Sequence, residues 1–330
     1  MNALVNSVIK TDKREFDMIT FGESMVIFSP DTKGPLRYVN NFTKSIGGAE
    51  SNTAIALSRL GHKAGWFSKL GDDEFGRYIQ LIIRGEGIDI SKVKIDKKRN
   101  TGILFKERFI NANPTVYYYR NDSAASKFSI EDIDYEYIKS CKIFHITGIT
   151  PALSKSCKEA VFKAIEIAKE NQVIVSFDPN IRLKLWSIEE AKPVLLKIAE
   201  MSDIVFPGIE EGELLLSTKD KDKIIDKFIE LGCDTIALKL GKDGCYVANK
   251  KERHFVKGYN VDNIEDTVGA GDGFAAGFLS GLLRNLNIKQ AAEYANGVGA
   301  MATLVKGDME GFPTFEQLMQ FIGQSKHIDR

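Results

Sequence analysis

The segment Asp266-Thr-Val-Gly-Ala-Gly-Asp272 sets two acids around a glycine turn, followed by an apolar helical pattern through Phe274, Gly277 and Phe278. Gly269, Ala270 and Gly271 let the backbone turn tightly into a helix, whose unpaired N–H groups and dipole favour an anion. A phosphate fits there without a side-chain donor. Asp272 falls in the first helical turn, within reach of a hydroxyl attacking that phosphate, which is general-base chemistry. Phe274, Gly277 and Phe278 read as packing positions. The same residue types also make an ordinary helix cap.

The rest of the chain supplies the scaffold for such a corner. At 330 residues it can bury a large core, as one α/β domain or a core with a smaller appended element. Its 45 basic and 45 acidic side chains cancel, giving no general electrostatic reason to bind nucleic acid or an anionic membrane. Any anion must be held locally. Cys141, Cys157, Cys233 and Cys245 are widely spaced and form no C-x-x-C pair, so reduced structural thiols are expected. His62, His145, His254 and His327 lie far apart and suggest no zinc site. No apolar run approaches transmembrane length, and Met1 to Glu15 lacks the apolar block of a secretory signal, so a cytoplasmic location is expected.

Short β-rich runs alternate with helical patterns, the signature of a largely parallel sheet covered by helices. Strands are expected at Asp17–Phe21, Lys142–Thr147, Val173–Phe177, Asp203–Phe206 and Thr235–Leu238. Helices are expected at Ser51–Leu60, Ile188–Met201, Lys221–Leu231, Ala270–Leu283 and Lys289–Leu304. Met25 to Ser45 and Thr101 to Asn121 break the alternation and read as strands of a small projecting sheet, the second with a turn at Asn111-Ala-Asn-Pro114. Strand alternation puts Val116, Tyr118 and Arg120 on one face, with Tyr117 and Tyr119 on the other. Arg120 there either grips a polar ligand or snorkels from a solvated edge.

These motifs together resemble the ribokinase-like (PfkB-type) family of sugar kinases. Besides the glycine and aspartate turn, Ile46-Gly-Gly-Ala-Glu-Ser-Asn52, continuing through Gly61 and on to Lys69-Leu-Gly-Asp-Asp-Glu-Phe-Gly76, is similar to the family's amino-terminal signature. The resemblance implies an α/β fold: a Rossmann-like layered core with a mostly parallel sheet and a small β-sheet lid. The kinase domain would span 17–313, with the lid at about 25–45 and 101–121 and extensions at 1–16 and 314–330, the latter with a C-terminal helix. No G-x-x-x-x-G-K-[ST] or early G-x-G-x-x-G is present, which disfavours P-loop and dinucleotide-binding alternatives.

Within the family the chain most resembles 2-keto-3-deoxygluconate kinases. The resemblance implies a sugar pocket at Gly48, Ala49, Glu50, Ser51 and Asn52, with Tyr118 and Arg120 from the lid, Arg182 of Asp178-Pro-Asn-Ile-Arg182, and Asp308 of the carboxy-terminal loop. It implies ATP contacts at Asn180, Arg182, Lys239, Gly241, Gly244, Gly269, Gly271 and Asn296, with Asp272, Gly269, Ala270 and Gly271 catalytic. Lys239-Leu-Gly-Lys-Asp-Gly244 reads equally as a tight hairpin. Magnesium is implied, helped indirectly by Glu211, although Gly208 stands where relatives often have Asn. A monovalent cation such as K+ near Asp266 and a homodimer through the lid are further family expectations. Some relatives touch the sugar with a tyrosine on the first lid strand; Thr101-Gly-Ile-Leu-Phe105 has none. Arg120 and Arg182 suit a sugar acid, because charge-assisted bonds are roughly twice as strong as neutral ones. A fructokinase or other ketose kinase, and a non-catalytic sugar-binding regulator, are the rival readings.

Overall fold

The computed structural model describes residues 14–108 and 115–324. The expected Asn111–Pro114 turn and His327 lie outside these residues. Fourteen strands are described: β1 (Phe16–Phe21), β2 (Met25–Pro30), β3 (Phe42–Gly47), β4 (Ala64–Phe67), β5 (Lys69–Gly71), β6 (Lys94–Asp96), β7 (Ile103–Glu107), β8 (Thr115–Tyr119), β9 (Cys141–Thr147), β10 (Ile174–Asp178), β11 (Ile204–Val205), β12 (Thr235–Lys239), β13 (Gly244–Asn249) and β14 (Arg253–Lys257).

An eight-stranded sheet has the order β14-β13-β12-β11-β10-β9-β1-β4. The pairs from β4 through β12 are parallel, whereas β13 and β14 pair antiparallel at one edge. Alternation along the buried strands sends side chains to two helical layers. Met18, Ile143 and Ile174 face one apolar cluster, and Ile19, Phe144 and Val175 the other.

On the first side lie α1 (Ala49–Arg59) and α2 (Glu74–Gly85). The second side is covered by α3 (Tyr135–Lys139), α4 (Lys155–Glu170), α5 (Ile188–Glu200), α6 (Ile209–Leu216) and α7 (Lys221–Glu230). The chain then returns to the first side with α8 (Ala270–Leu283), α9 (Ile288–Ala302) and α10 (Phe315–Phe321). In α4 the expected face of Val161, Ala164, Ile165 and Ala168 is fully buried, and Ser154 caps the helix by accepting from Cys157 N at 3.1 Å. The small residues of α8 let α9 approach closely: a Cβ at Gly277 would lie 2.8 Å from Ala295 Cα. Phe274 and Phe278 are buried at 6% and 0% exposure, as packing positions should be.

The two segments that broke the alternation form a second, four-stranded sheet, β3-β2-β7-β8. Met25, Ile27 and Leu104 cluster on its inner face with Val116 against them. Its outer face stacks Phe28 on Phe105, ring centroids 4.9 Å apart, with Phe42 and Phe75 edge-on. Tyr117 and Tyr119 remain exposed there. Among the described residues no helix is long and apolar enough to cross a membrane.

Candidate active site

Asp272 sits in the first turn of α8 and is 8% exposed. The turn before it depends on Gly269, whose φ of +80° lies in the left-handed region and where a Cβ would lie 1.9 Å from the Asp308 carbonyl oxygen. Gly273 N makes the first helical bond, to Gly269 O at 2.8 Å, so the N–H groups of Gly271 and Asp272 precede the α-helical ladder. An anion site at this turn has the required backbone.

Three elements converge on the Asp272 carboxylate. From α1, Asn52 Nδ2 donates to Oδ2 at 2.8 Å. Asn180 follows β10 with a φ of +37°, a conformation Asn tolerates; its N–H donates to Asp178 Oδ1 and its Nδ2 lies 3.5 Å from Asp272 Oδ1. At the end of β12, Lys239 Nζ pairs with Asp178 Oδ2 at 2.7 Å, and its ammonium would lie 3.8 Å from a Cβ at Gly271. Burial pushes the Asp272 carboxyl up to about 7; the neighbouring Asp178 adds to this, while Asn52, Arg182 and Lys239 oppose it. Burial works against the charge on Lys239, yet Asp178 and Glu211 hold its pKa above the ordinary lysine value. A carboxyl poised near neutrality beside an anion-binding turn can relay a proton.

The residues expected on the sugar side form a tightly bonded floor. A Cβ at Gly48 would meet the Glu23 carbonyl oxygen at 2.4 Å, so two backbones touch where α1 begins. Ala49 is buried, and Ser51 Oγ is used internally, donating to Gly48 O at 3.0 Å and accepting from Ser24 Oγ at 2.7 Å. Glu50 Oε1 accepts from Thr147 Oγ1 at 2.6 Å and Thr150 Oγ1 at 2.7 Å. Burial raises the Glu50 pKa above the usual carboxylate range. Glu50 Oε2 and Asn52 Oδ1 are buried with no donor among the described residues.

Arg120 does not occupy the solvated edge that one sequence reading allowed. Its side chain is 8% exposed and pairs with Glu23, which also accepts from Ser123 Oγ at 2.5 Å. Tyr118 is 39% exposed, with Arg120 Cζ 5.6 Å and Lys184 Nζ 5.7 Å from its ring centre. Arg182 is exposed on the loop after β10 and acts on Asp272 through its charge. Asp308 Oδ1 is taken by Lys106 Nζ at 2.7 Å. Sequence reasoning missed Glu23, Asp178, Thr147 and Thr150, which lie at or just beyond strand ends on the carboxyl side of the sheet, where α/β ligands bind.

Beside the glycine turn a cleft of about 1190 Å³ opens, bounded by Lys239 to Gly244, Lys257 to Asp262, Gly271, Phe274 and Asn296. Lys239 to Gly244 is the antiparallel connection from β12 to β13 and also a wall of this cleft. Gly241 and Gly244 have φ values of +61° and +106°. Asn296 borders the cleft, but its Nδ2 donates to the carbonyls of Val256 at 3.0 Å and Lys257 at 3.2 Å. Glu211 caps α6: Oε2 accepts from Gly208 N at 2.7 Å and Oε1 from Ile181 N at 2.8 Å. Among the described residues no group of three or more His, Cys, Asp or Glu could hold a metal.

An α/β core with helices on both faces of the sheet, a lid, and an aspartate at a glycine-turned helix start define a phosphotransferase of the ribokinase-like class. The description "pfkB family carbohydrate kinase" matches residues 16–314, and the chain belongs to that family. It is an ATP-dependent carbohydrate kinase. The 2-dehydro-3-deoxygluconokinase of Bacillus subtilis (strain 168) is 39% identical over 317 residues, covering 95% of this chain and 98% of that protein. Probable fructokinase-3 of Arabidopsis thaliana is 32% identical, over 94% of this chain and 92% of its own. The crystal structure of a putative ribokinase II from E. coli in complex with ATP and Mg2+ superposes with a TM-score of 0.88 at 28% identity, covering 94% of this chain and 100% of that one.

Proposed function

We propose that the chain transfers the terminal phosphoryl group of ATP to the 6-hydroxyl of 2-keto-3-deoxygluconate (2-dehydro-3-deoxygluconate), giving the 6-phospho product and ADP. The observation that carries this reading is the Asp272 carboxyl, buried, pushed up to about 7 and aimed by Asn52 beside a helix N-terminus. Asp272 takes the hydroxyl proton as the sugar oxygen bonds to phosphorus and the bond to the bridging oxygen of ADP breaks. The N–H groups at Gly269 to Gly271 and the Lys239 ammonium stabilise the charge that develops there. ATP fits the cleft beside this turn, with Gly241, Gly244 and Asn296 along its walls. The orphan acceptors Glu50 Oε2 and Asn52 Oδ1 suit the hydroxyl donors of a sugar.

Magnesium, when bound with the nucleotide, offsets phosphate charge and takes oxygen ligands largely from phosphates and water. The site fits that role. Both Glu211 oxygens already accept backbone N–H groups, so Glu211 acts indirectly, through metal-bound water. A monovalent cation near Asp266 and its following loop belongs to the same reading; the Asp266 carboxylate accepts from Arg108 Nη2 at 3.0 Å and Val268 N at 3.2 Å, so backbone carbonyls would supply most of its ligands. A homodimer through the lid belongs to the same reading, supported by the exposed Tyr117 and Tyr119.

The acid specificity is supported by similarity to the Bacillus subtilis enzyme and by Arg120 and Arg182. A ketose kinase is the second reading. It is favoured by the Glu23 partner of Arg120, which compensates one of the two cations. A coupled ADP-release assay with ATP and Mg2+ across 2-keto-3-deoxygluconate, gluconate, fructose, ribose and no sugar separates them. Preference for the keto-deoxy acid is expected; preference for fructose transfers the assignment to ketose kinase. Folded protein without sugar-dependent turnover would point to a binding role or an untested sugar.

A further inference from the structure

The inner face of the lid carries charge where strand alternation calls for apolar side chains. Leu104, Lys106 and Arg108 share that face. Leu104 packs with Met25 and Ile27, whereas Lys106, 3% exposed, reaches out of the lid to the core. Its Nζ donates to Asp308 Oδ1 at 2.7 Å and lies 3.7 Å from Asp266 Oδ2, the oxygen that also takes Arg108 Nη2 at 3.0 Å. The two acids come from separate segments, one opening the loop into α8 and the other in the loop after α9.

The second Asp308 oxygen points elsewhere. A Cβ at Gly47 would lie 2.4 Å from Asp308 Oδ2, so this oxygen rests on the residue just before the sugar-side glycine Gly48. Among the described residues, Lys106 is the one hydrogen-bond donor to the Asp308 side chain. Burial pushes the Asp308 carboxyl up, Lys106 pulls it back, and Asp266 and Glu310 push with burial. Without Lys106, Asp308 would lose both its orientation and the charge that keeps it an acceptor.

We propose that Lys106 is a positioning residue for the sugar: by holding Asp308 Oδ1 it turns Oδ2 toward the sugar pocket, and it ties the lid to that orientation. The inference rests on the kinase reading of the site but not on which sugar is phosphorylated. The test compares Lys106→Met, Lys106→Arg, Asp308→Asn and the Lys106→Met/Asp308→Asn double variant, using the sugar that wild type turns over best. Lys106→Met should raise the sugar KM about tenfold, the loss of one charge-assisted contact, with the ATP KM within about twofold. Lys106→Arg should recover most of the loss. The double variant should bind sugar no worse than Asp308→Asn, because the two residues act in series.

Calorimetric sugar binding gives the same comparison without turnover, and the double variant carries no unpaired charge from this pair if Lys106→Met alone fails to fold. A sugar KM unchanged in Lys106→Met, a parallel rise in the ATP KM, or multiplicative losses in the double variant would each overturn the proposal. A wild type that prefers fructose would remove the substrate assignment and leave these ratios meaningful.

Discussion

On the proposed sugar-facing side of Asp272, polar side chains are bonded to one another. Glu50 holds Thr147 and Thr150, Glu23 holds Ser123 and Arg120, and Asp308 holds Lys106. The proposed nucleotide-facing side is a cleft of about 1190 Å³ whose proposed anion end is backbone, at Gly269 to Gly271, and whose far wall is the Gly241 to Gly244 connection. A buried group that loses its partner costs about 1–3 kcal/mol, so the first region tolerates little change. The second recognises by shape and N–H groups, which survive most side-chain changes. On the proposed reading, selectivity is concentrated on one side of Asp272, and the common phosphoryl donor is served by the other.

The sharpest way to expose this division is Asp272→Asn, at the junction. Turnover should fall by about 10²–10⁴, with both KM values changed only a few-fold, as steady-state kinetics would read. The same variant should be more stable at pH 8 than wild type. Asp272 has a folded pKa of about 7, above its ordinary value of about 4, so the native state holds a proton that the unfolded chain has lost. Stability from this group is present at low pH and is lost as pH rises through 7. Thermal melts at pH 5 and 8 should show the larger Asn gain at 8.

Wild-type turnover should follow the same group, falling about tenfold per pH unit below 7. A limb near pH 4 would place the base elsewhere. Glu50→Ala should raise the sugar KM, leave the ATP KM unchanged and lower stability by about 1–3 kcal/mol, because the Thr147 and Thr150 hydroxyls lose their acceptor. An equal rise in both KM values would erase the contrast between the two sides. The smallest change is expected from Asn296→Ala, about two- to fivefold in the ATP KM. Its amide is committed to the Val256 and Lys257 carbonyls rather than to the cleft alone.

The layered core and the helix start at Ala270 were legible because periodicity and glycine spacing are local signals. The lid was legible too, since two β-rich runs with no helix between them break the α/β alternation. Pairings across the site were not. Glu23 meets Arg120 and Ser123 about a hundred positions away, and Lys106 meets Asp308 across two hundred and two. One trace existed in the sequence: Lys106 shares a strand face with Leu104, and a charge in an inward register calls for a buried partner. Which acid would answer depended on how the loop after α9 folds back, and no local pattern specifies that.

The contact between Gly269 and the Asp308 carbonyl oxygen has a consequence for how such an enzyme can diversify. With a left-handed φ at Gly269 and no room for a Cβ against the Asp308 carbonyl oxygen, no adjustable spacer separates the two segments. A mutation that reshapes one displaces the other, so neither offers a gradual path to a new acceptor. Descendants with altered substrate range should carry their changes in β8, where Tyr118 is 39% exposed. A designer retargeting this scaffold would randomise those positions and leave the turn and its neighbouring loop as inherited.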